Sequence, residues 1–296
     1  MEYLLPTNNI VFKRLFGDAH NADILLAFLN AVLEDAGEAP LAKTKLFNPH
    51  LHKKTAQDKQ TFLDIIGYSA DGELVNLEIL VSNQQNMQKS PMLNWAELYV
   101  GQMVKEKSFS SLHRTITITI LDFIYLPSKQ AHSLYQLREH QTKHLFTNYV
   151  EIHFLELPKL EKTELTKRTP LMWWGLFLQG IQKDRAEEFR LYNPIMKKAV
   201  DMLETISKDI QTSMLYNARQ KAIHDEVSRM ADAQSQGRAE GIVQSIQHLW
   251  LKRFGKMSEK EEKALYAASS EALAHILDQM LDAQYTVEQA RMDLSI

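Results

Sequence analysis

The stretch FLDIIGYSADGELVNLEILV, residues 62–81, decides how the rest of the chain is read. Two apolar runs, 62–69 and 74–81, flank Ala70-Asp71-Gly72, a pattern that predicts a β-hairpin. Asp64 and Glu78 are the acidic residues inside these runs, and a carboxylate bordered by Phe62, Ile65 and Ile66 costs free energy unless it is paired or binds a cation. Loop length decides whether the two acids meet. A two-residue loop at Asp71-Gly72 makes opposed residue numbers sum to 143 and sends the carboxylates to opposite faces. A three-residue loop, a type I turn closed by a left-handed Gly72, makes the sum 142 and sets Asp64 across from Glu78. Their Cβ atoms would then stand about 4.5–5.5 Å apart. Such a pair suits one hard cation, Mg²⁺ above others, because Mg²⁺ takes a few carboxylates and keeps its water. The competing reading is a solvated face, or two acids each paired with Lys or Arg.

Upstream, Phe12, Leu15, Phe16, Ile24, Leu25, Phe28, Leu29 and Val32 recur at helical spacing, predicting two amphipathic helices broken near Gly17 that cover a sheet. Downstream, residues 92–103 read as a helix. Residues 115–126, TITITILDFIYL, form a third strand stopping at Pro127, and residues 150–157 a fourth. From about residue 182 the period is helical throughout. Residues 235–241, SQGRAEG, suit a linker or turn, although single glycines are tolerated within helices. The expected organisation is a core over 1–185 and an α-helical region over 186–296.

The chain has no cysteine, which excludes disulfide frameworks, Cys-ligated zinc, iron–sulfur clusters and thiol catalysis. With a formal charge of −3, any contact with DNA must come from a local basic surface. No secretory signal opens the chain and no apolar stretch approaches the roughly 20 residues of a membrane span, so a cytoplasmic protein without membrane contact is expected. His140 and His144 have the spacing of a helical zinc pair, but Gln141 stands where a metalloprotease needs its glutamate base. Trp173 and Trp174 read as core. Two apolar stripes, one from Ile242 to Phe254 and one from Leu265 to Leu281, either pack on each other or offer a homodimer surface.

Several motifs occur in a telling order: NIVFKRLFG from Asn9 to Gly17, Leu63-Asp64-Ile65 with Asp71-Gly72, Asn76-Leu77-Glu78-Ile79, Trp95-Ala96-Glu97-Leu98-Tyr99 with Gln102, FLELPK from Phe154 to Lys159, and Arg253-Phe254-Gly255. Together they resemble the recombination-promoting nuclease and transposase family of the PD-(D/E)XK nucleases. The resemblance implies an α/β fold, a restriction-endonuclease-like mixed sheet flanked by helices, followed by an α-helical C-terminal region. It also implies a Mg²⁺-dependent DNA endonuclease of low sequence specificity, linked to recombination or mobile elements, with Mn²⁺ as a substitute. Asp64 and Glu78 would be catalytic and hold the metal with the main-chain carbonyl of Ile79. Gln102, with Tyr99 beside it, would support catalysis, and Lys13 and Lys89 would contact DNA. Three positions depart from the family pattern: Leu80 stands where Gln is usual, Asn9 where Asp is usual, and Ser90 where a basic residue is expected. The alternative is therefore a catalytically degenerate nuclease fold acting as a DNA- or protein-binding module.

Overall fold

A computed structural model of the protein describes residues 2–42, 44–47, 65–81, 89–103, 108–160 and 168–296. Two compact units divide the chain, Met1–Asn217 and Ala218–Ile296. The first is built on six strands: β1 (Thr44–Phe47), β2 (Ile65–Ser69), β3 (Leu74–Leu80), β4 (Thr115–Leu121), β5 (His132–Arg138) and β6 (Leu145–Glu156). They form one mixed sheet in the order β1-β2-β3-β4-β6-β5. The strands β3, β4 and β6 run parallel, while β1 and β2 on one side and β5 on the other join antiparallel.

Because side chains alternate along a strand, Val75, Leu77, Ile79, Ile116, Ile118, Ile120 and Leu155 share one face. That face is buried with α1 (Asn9–Phe16), α2 (Ala22–Asp35), α4 (Pro170–Leu178) and α6 (Pro194–Lys208) in a single apolar core. The break expected near Gly17 is the C-cap of α1, whose start is capped by the Asn8 side chain. Trp173 and Trp174 belong to this core, Trp174 meeting Phe28 edge-on at 5.8 Å. Helix α3 (Lys89–Gly101) covers the opposite face, with Leu98 packed on Ile66 and Leu74.

The third strand ends at Leu121, five residues before the expected stop. The segment after it is held instead by Glu156, whose Oε1 accepts from the main-chain N–H groups of Tyr125 (2.6 Å) and Leu126 (3.0 Å). Lys159 pairs with Glu156 and donates to the carbonyls of Leu126 (2.8 Å) and Ser128 (2.6 Å). This gives FLELPK a structural reason: its two charges satisfy one loop. The loop from Glu139 to His144 is the turn between β5 and β6, so His140 and His144 do not share a helical face.

A polar network lies at the far side of the sheet from α3. Arg114 pairs with Glu151 and reaches Glu73 (3.3 Å) and Glu38 (3.4 Å). His153 stands 3.5 Å from Glu151 and 3.0 Å from His132, which meets Asp35 at 2.7 Å. Burial holds the His153 imidazole below its ordinary value of 6.5. Burial also pulls the Glu151 carboxyl upward, but His153 and Arg114 outweigh it and keep it below 4.5. Both shifts act in the same direction. An unfolded His takes up a proton that His153 refuses, so stability declines as pH falls through 6.5, and Glu151 adds to the loss from 4.5 downward. Thermal melts from neutral to acid pH should follow that course, and His153→Gln should flatten its upper part.

The helices α5 (Ala186–Tyr192) and α6 add Phe189, Met196, Val200 and Leu203 to the first unit's core, so the division after Asn217 falls downstream of the expected boundary at 185. It lies within α7 (Ile210–Phe254), which also contains the whole of SQGRAEG as helix rather than linker. The second unit comprises the rest of α7, α8 (Glu259–Ala267), α9 (Ser270–Gln279) and α10 (Val287–Asp293), with capping boxes at Ser258–Glu261 and Thr286–Gln289. Ile246, Trp250, Leu265, Leu273, Ile276 and Met280 make its core, so the two C-terminal stripes pack largely on each other. Among the described residues, no helix is long and apolar enough to cross a membrane.

Candidate active site

The hairpin turns through Ala70-Asp71-Gly72. The Gly72 N–H donates to Ser69 O (3.1 Å), the Ser69 N–H to Glu73 O (2.9 Å), and Gly72 has φ +86°, a left-handed conformation that glycine adopts without strain. This is the three-residue loop. The pairs that follow, Tyr68 with Leu74, Gly67 with Val75, Ile66 with Asn76 and Ile65 with Leu77, all sum to 142. Asp64 lies outside the described residues.

Glu78 is 4% exposed, on the face covered by α3. Its oxygen Oε2 accepts a hydrogen bond of 3.0 Å from the Asn94 side-chain amide. In register with it are Thr119 on β4 and, one strand further, Phe154. Asn76, Thr117 and Thr119 line the same face, fully buried, with side-chain polar atoms that have no partner among the described residues. Ile79 points its side chain into the apolar core on the other face, so only its main chain is available to a site. Leu80 points to the same side as Glu78 and packs against Leu121, Ile152 and Phe154. Beside it, the Asp122 N–H donates to Leu80 O (3.0 Å), and burial pushes the Asp122 carboxyl up.

Two contacts fix the direction of α3. Asn94 meets Glu78, while Gln102, just past the helix end, meets Thr115, the register partner of Leu74. Glu78 and Leu74 are four residues, about 13 Å, apart along β3. The helix therefore runs antiparallel to β3, and its exposed first residue, Lys89, lies at the end where Glu78 and Leu80 stand.

Gln102 sits at the other end. Its amide donates to His113 O (3.1 Å) and Thr115 Oγ1 (2.9 Å), and its carbonyl accepts from the His113 N–H (2.8 Å), so it clamps the entry to β4 rather than facing Glu78. Tyr99 is there too, stacked on Trp95 at 5.0 Å, with the Trp95 indole N–H shared between the carbonyls of Thr115 and Tyr149. Lys13 is exposed on α1, in the layer that covers the opposite face of the sheet. Its neighbour Arg14 is engaged with Thr212 and Asp209.

Of the sequence candidates, the structure thus gathers Glu78, Leu80 and Lys89 at one end of the sheet, with Gln102 and Tyr99 at the other. Asn94 was missed, although its spacing from Pro91 and Leu98 puts a polar group on the buried stripe of α3. The oxygen-bearing side chains around Glu78 on this face include the amides of Asn76 and Asn94 and the hydroxyls of Thr117 and Thr119, with Glu156 further along it already held by Lys159 and the main chain of Tyr125 and Leu126, whereas His132 and His153 lie on the other face. Oxygen donors of this kind fit a hard cation such as Mg²⁺ or Mn²⁺ and not zinc. Among the described residues no three His, Asp or Glu side chains converge on one point, so such a cation needs a further ligand beside Glu78.

A mixed sheet with helices on both faces, carrying a buried glutamate near the end of the second strand of a hairpin, defines a restriction-endonuclease-like nuclease fold. Residues 6–233 match the PD-(D/E)XK nuclease family transposases, and the chain belongs to that family. No curated protein and no solved structure matches it.

Proposed function

We propose that the protein is a Mg²⁺-dependent DNA endonuclease of low sequence specificity, serving recombination or the movement of DNA elements in the cytoplasm. The observation that carries this reading is the register of β2 and β3. The observed pairs from Tyr68–Leu74 to Ile65–Leu77 all sum to 142, the register in which the proposed reading has Asp64 oppose Glu78. On that reading the alternation counted from the bonded pair Ser69–Glu73 would make 64 and 78 a non-hydrogen-bonded pair, the closer kind. Asp64 and Glu78 would hold the cation, with the main-chain carbonyl of Ile79 as a third donor. A bound Mg²⁺ supplies an activated water and neutralises the phosphate. Lys89, opening α3 at the same end, would contact phosphate, and contact with phosphates rather than base edges gives little sequence preference.

Nicking of supercoiled plasmid in Mg²⁺ or Mn²⁺ tests this reading. The parent protein should cut, and Asp64→Ala should lose at least about 10²-fold, the upper end of what a mere supporting residue of a metal site costs. A silent parent would overturn it.

One observation favours the second reading, a degenerate module that binds DNA or protein without cutting it: Leu80 is packed into an apolar cluster where a polar group would serve catalysis. Leu80→Gln separates the two. If the site is active as it stands, the substitution changes nicking by less than about tenfold, because it alters the packing of Leu80 and not the ligands that would hold the metal. A silent parent that gains nicking through Leu80→Gln would identify a decayed enzyme.

Pairing of two copies through the second unit would use apolar side chains that its core leaves outside, among them Leu251, Leu281 and Met292. Sedimentation at micromolar concentration reads that state directly.

A further inference from the structure

Asn94 is the one polar side chain in the buried stripe that α3 lays on the sheet, between Pro91 and Leu98. It is 1% exposed. Its amide nitrogen donates to Glu78 Oε2 at 3.0 Å, while its own oxygen, Oδ1, is buried and has no partner among the described residues. An unsatisfied buried amide oxygen costs free energy that a leucine of similar volume would avoid. Apolar packing therefore does not account for the residue, whose polar role is toward Glu78. The neighbouring position on the Glu78 side of β3 is Leu80, which has no polar atom in its side chain to orient a carboxylate. We propose that Asn94 is a positioning residue for metal binding. Its NH₂ group fixes the rotamer of the Glu78 carboxylate by occupying Oε2, and its open Oδ1 accepts a hydrogen bond from water entering the site. The inference rests on the reading of Glu78 as a metal ligand given above.

The order of the contacts supports the assignment. A carboxylate on a strand keeps several rotamers unless something fixes them, and one donor from a helix packed on that strand removes the choice. Asn94 is held in turn by Leu98 and Pro91, which seat α3 on the sheet one turn to either side. Groups that orient a ligand in this way influence metal affinity without touching the metal.

Titration of the full-length protein with Mn²⁺, followed by the paramagnetic signal of free Mn²⁺, tests the inference and does not depend on cleavage. Four proteins are compared: the parent, Asn94→Leu, Asn94→Ser and Glu78→Gln. Asn94→Leu fills the same space without a donor, and Asn94→Ser remains polar but is too short to reach Glu78, so the test survives if one of them fails to fold. Both should bind Mn²⁺ about 10–100-fold more weakly than the parent, with circular dichroism unchanged and the metal-free melting of Asn94→Leu lowered, because the buried Glu78 carboxylate loses this donor. If both Asn94 variants bind like the parent while Glu78→Gln has lost binding, the positioning role is overturned and the metal site stands. If Glu78→Gln also binds like the parent, or the parent binds nothing, the metal reading fails and the role of Asn94 fails with it.

Discussion

Arg114→Met is expected to destabilise the first unit by about 3–5 kcal/mol, the cost of leaving a buried charge without its partner. Among the described residues, Arg114 is the only Lys or Arg of the groups that meet here, facing Glu151, Glu73 and Glu38 at the start of β4, and Glu151 is fully buried. Burial by itself would lower the Arg114 pKa, yet the three carboxylates hold it above its ordinary value, which reflects how strongly its charge is engaged. Methionine keeps the bulk and removes the charge. At roughly 2–4 °C per kcal/mol for a unit of this size, the midpoint should fall by about 6–20 °C. Adding Glu151→Gln should recover a large share, because the uncompensated charge and not the lost guanidinium dominates the cost. Additive losses in the double variant would contradict that account.

Glu78→Gln should produce the opposite combination. The substitution keeps the shape and still lets the Asn94 amide donate to an oxygen, but it removes the charge on which a cation depends. Cleavage should fall by at least about 10²-fold. Stability in chelator should rise by about 0.5–2 kcal/mol, since a buried carboxylate is retained for function at the expense of the fold. A variant that lost both activity and stability would mark Glu78 as a structural residue. The comparison uses melting in EDTA alongside plasmid nicking in Mg²⁺.

Much of the first unit was legible because its signals are local. The hairpin and β4 are dense in β-branched and aliphatic residues, and the turn residues at Ala70-Asp71-Gly72 admit few geometries. Strand β5, HSLYQLR, escaped notice because it is an edge strand whose side chains are mostly half-exposed or exposed, so neither alternation nor density marks it. For the same reason the first five residues of β6 do not read as strand: they lie beyond the stretch paired with β4, and only β5 borders them. The region after Leu121 reads as strand because Phe123, Tyr125 and Leu126 are apolar, yet the main chain of Tyr125 and Leu126 is taken up by Glu156 and Lys159 from 30 or more residues away. No local pattern encodes that contact.

The site divides in the same way. The pairing of residues 65–68 with 74–77 follows from loop length, but the sequence admits both a two- and a three-residue loop, and the structure selects the second. Gln102 was drawn toward the site by its motif, whereas the direction of α3, which carries it to the far end of β3, depends on packing that sequence spacing does not reveal. Asn94 illustrates the converse: a polar residue at a buried helical position is a visible signal, but its partner Glu78 is 16 residues away on another element.

The proposed metal site requires Asp64 and Glu78 to face each other across the hairpin. Because the chain contains no cysteine, it can be tested by disulfide trapping without background. Asp64→Cys combined with Glu78→Cys should oxidise to an intramolecular disulfide, since residues opposed at a non-hydrogen-bonded site have Cα atoms about 4.5 Å apart, within disulfide range. Asp64→Cys combined with Ile79→Cys, which a two-residue loop would oppose instead, should remain reduced. Cross-linking of the second pair and not the first would contradict the register and, with it, the metal site.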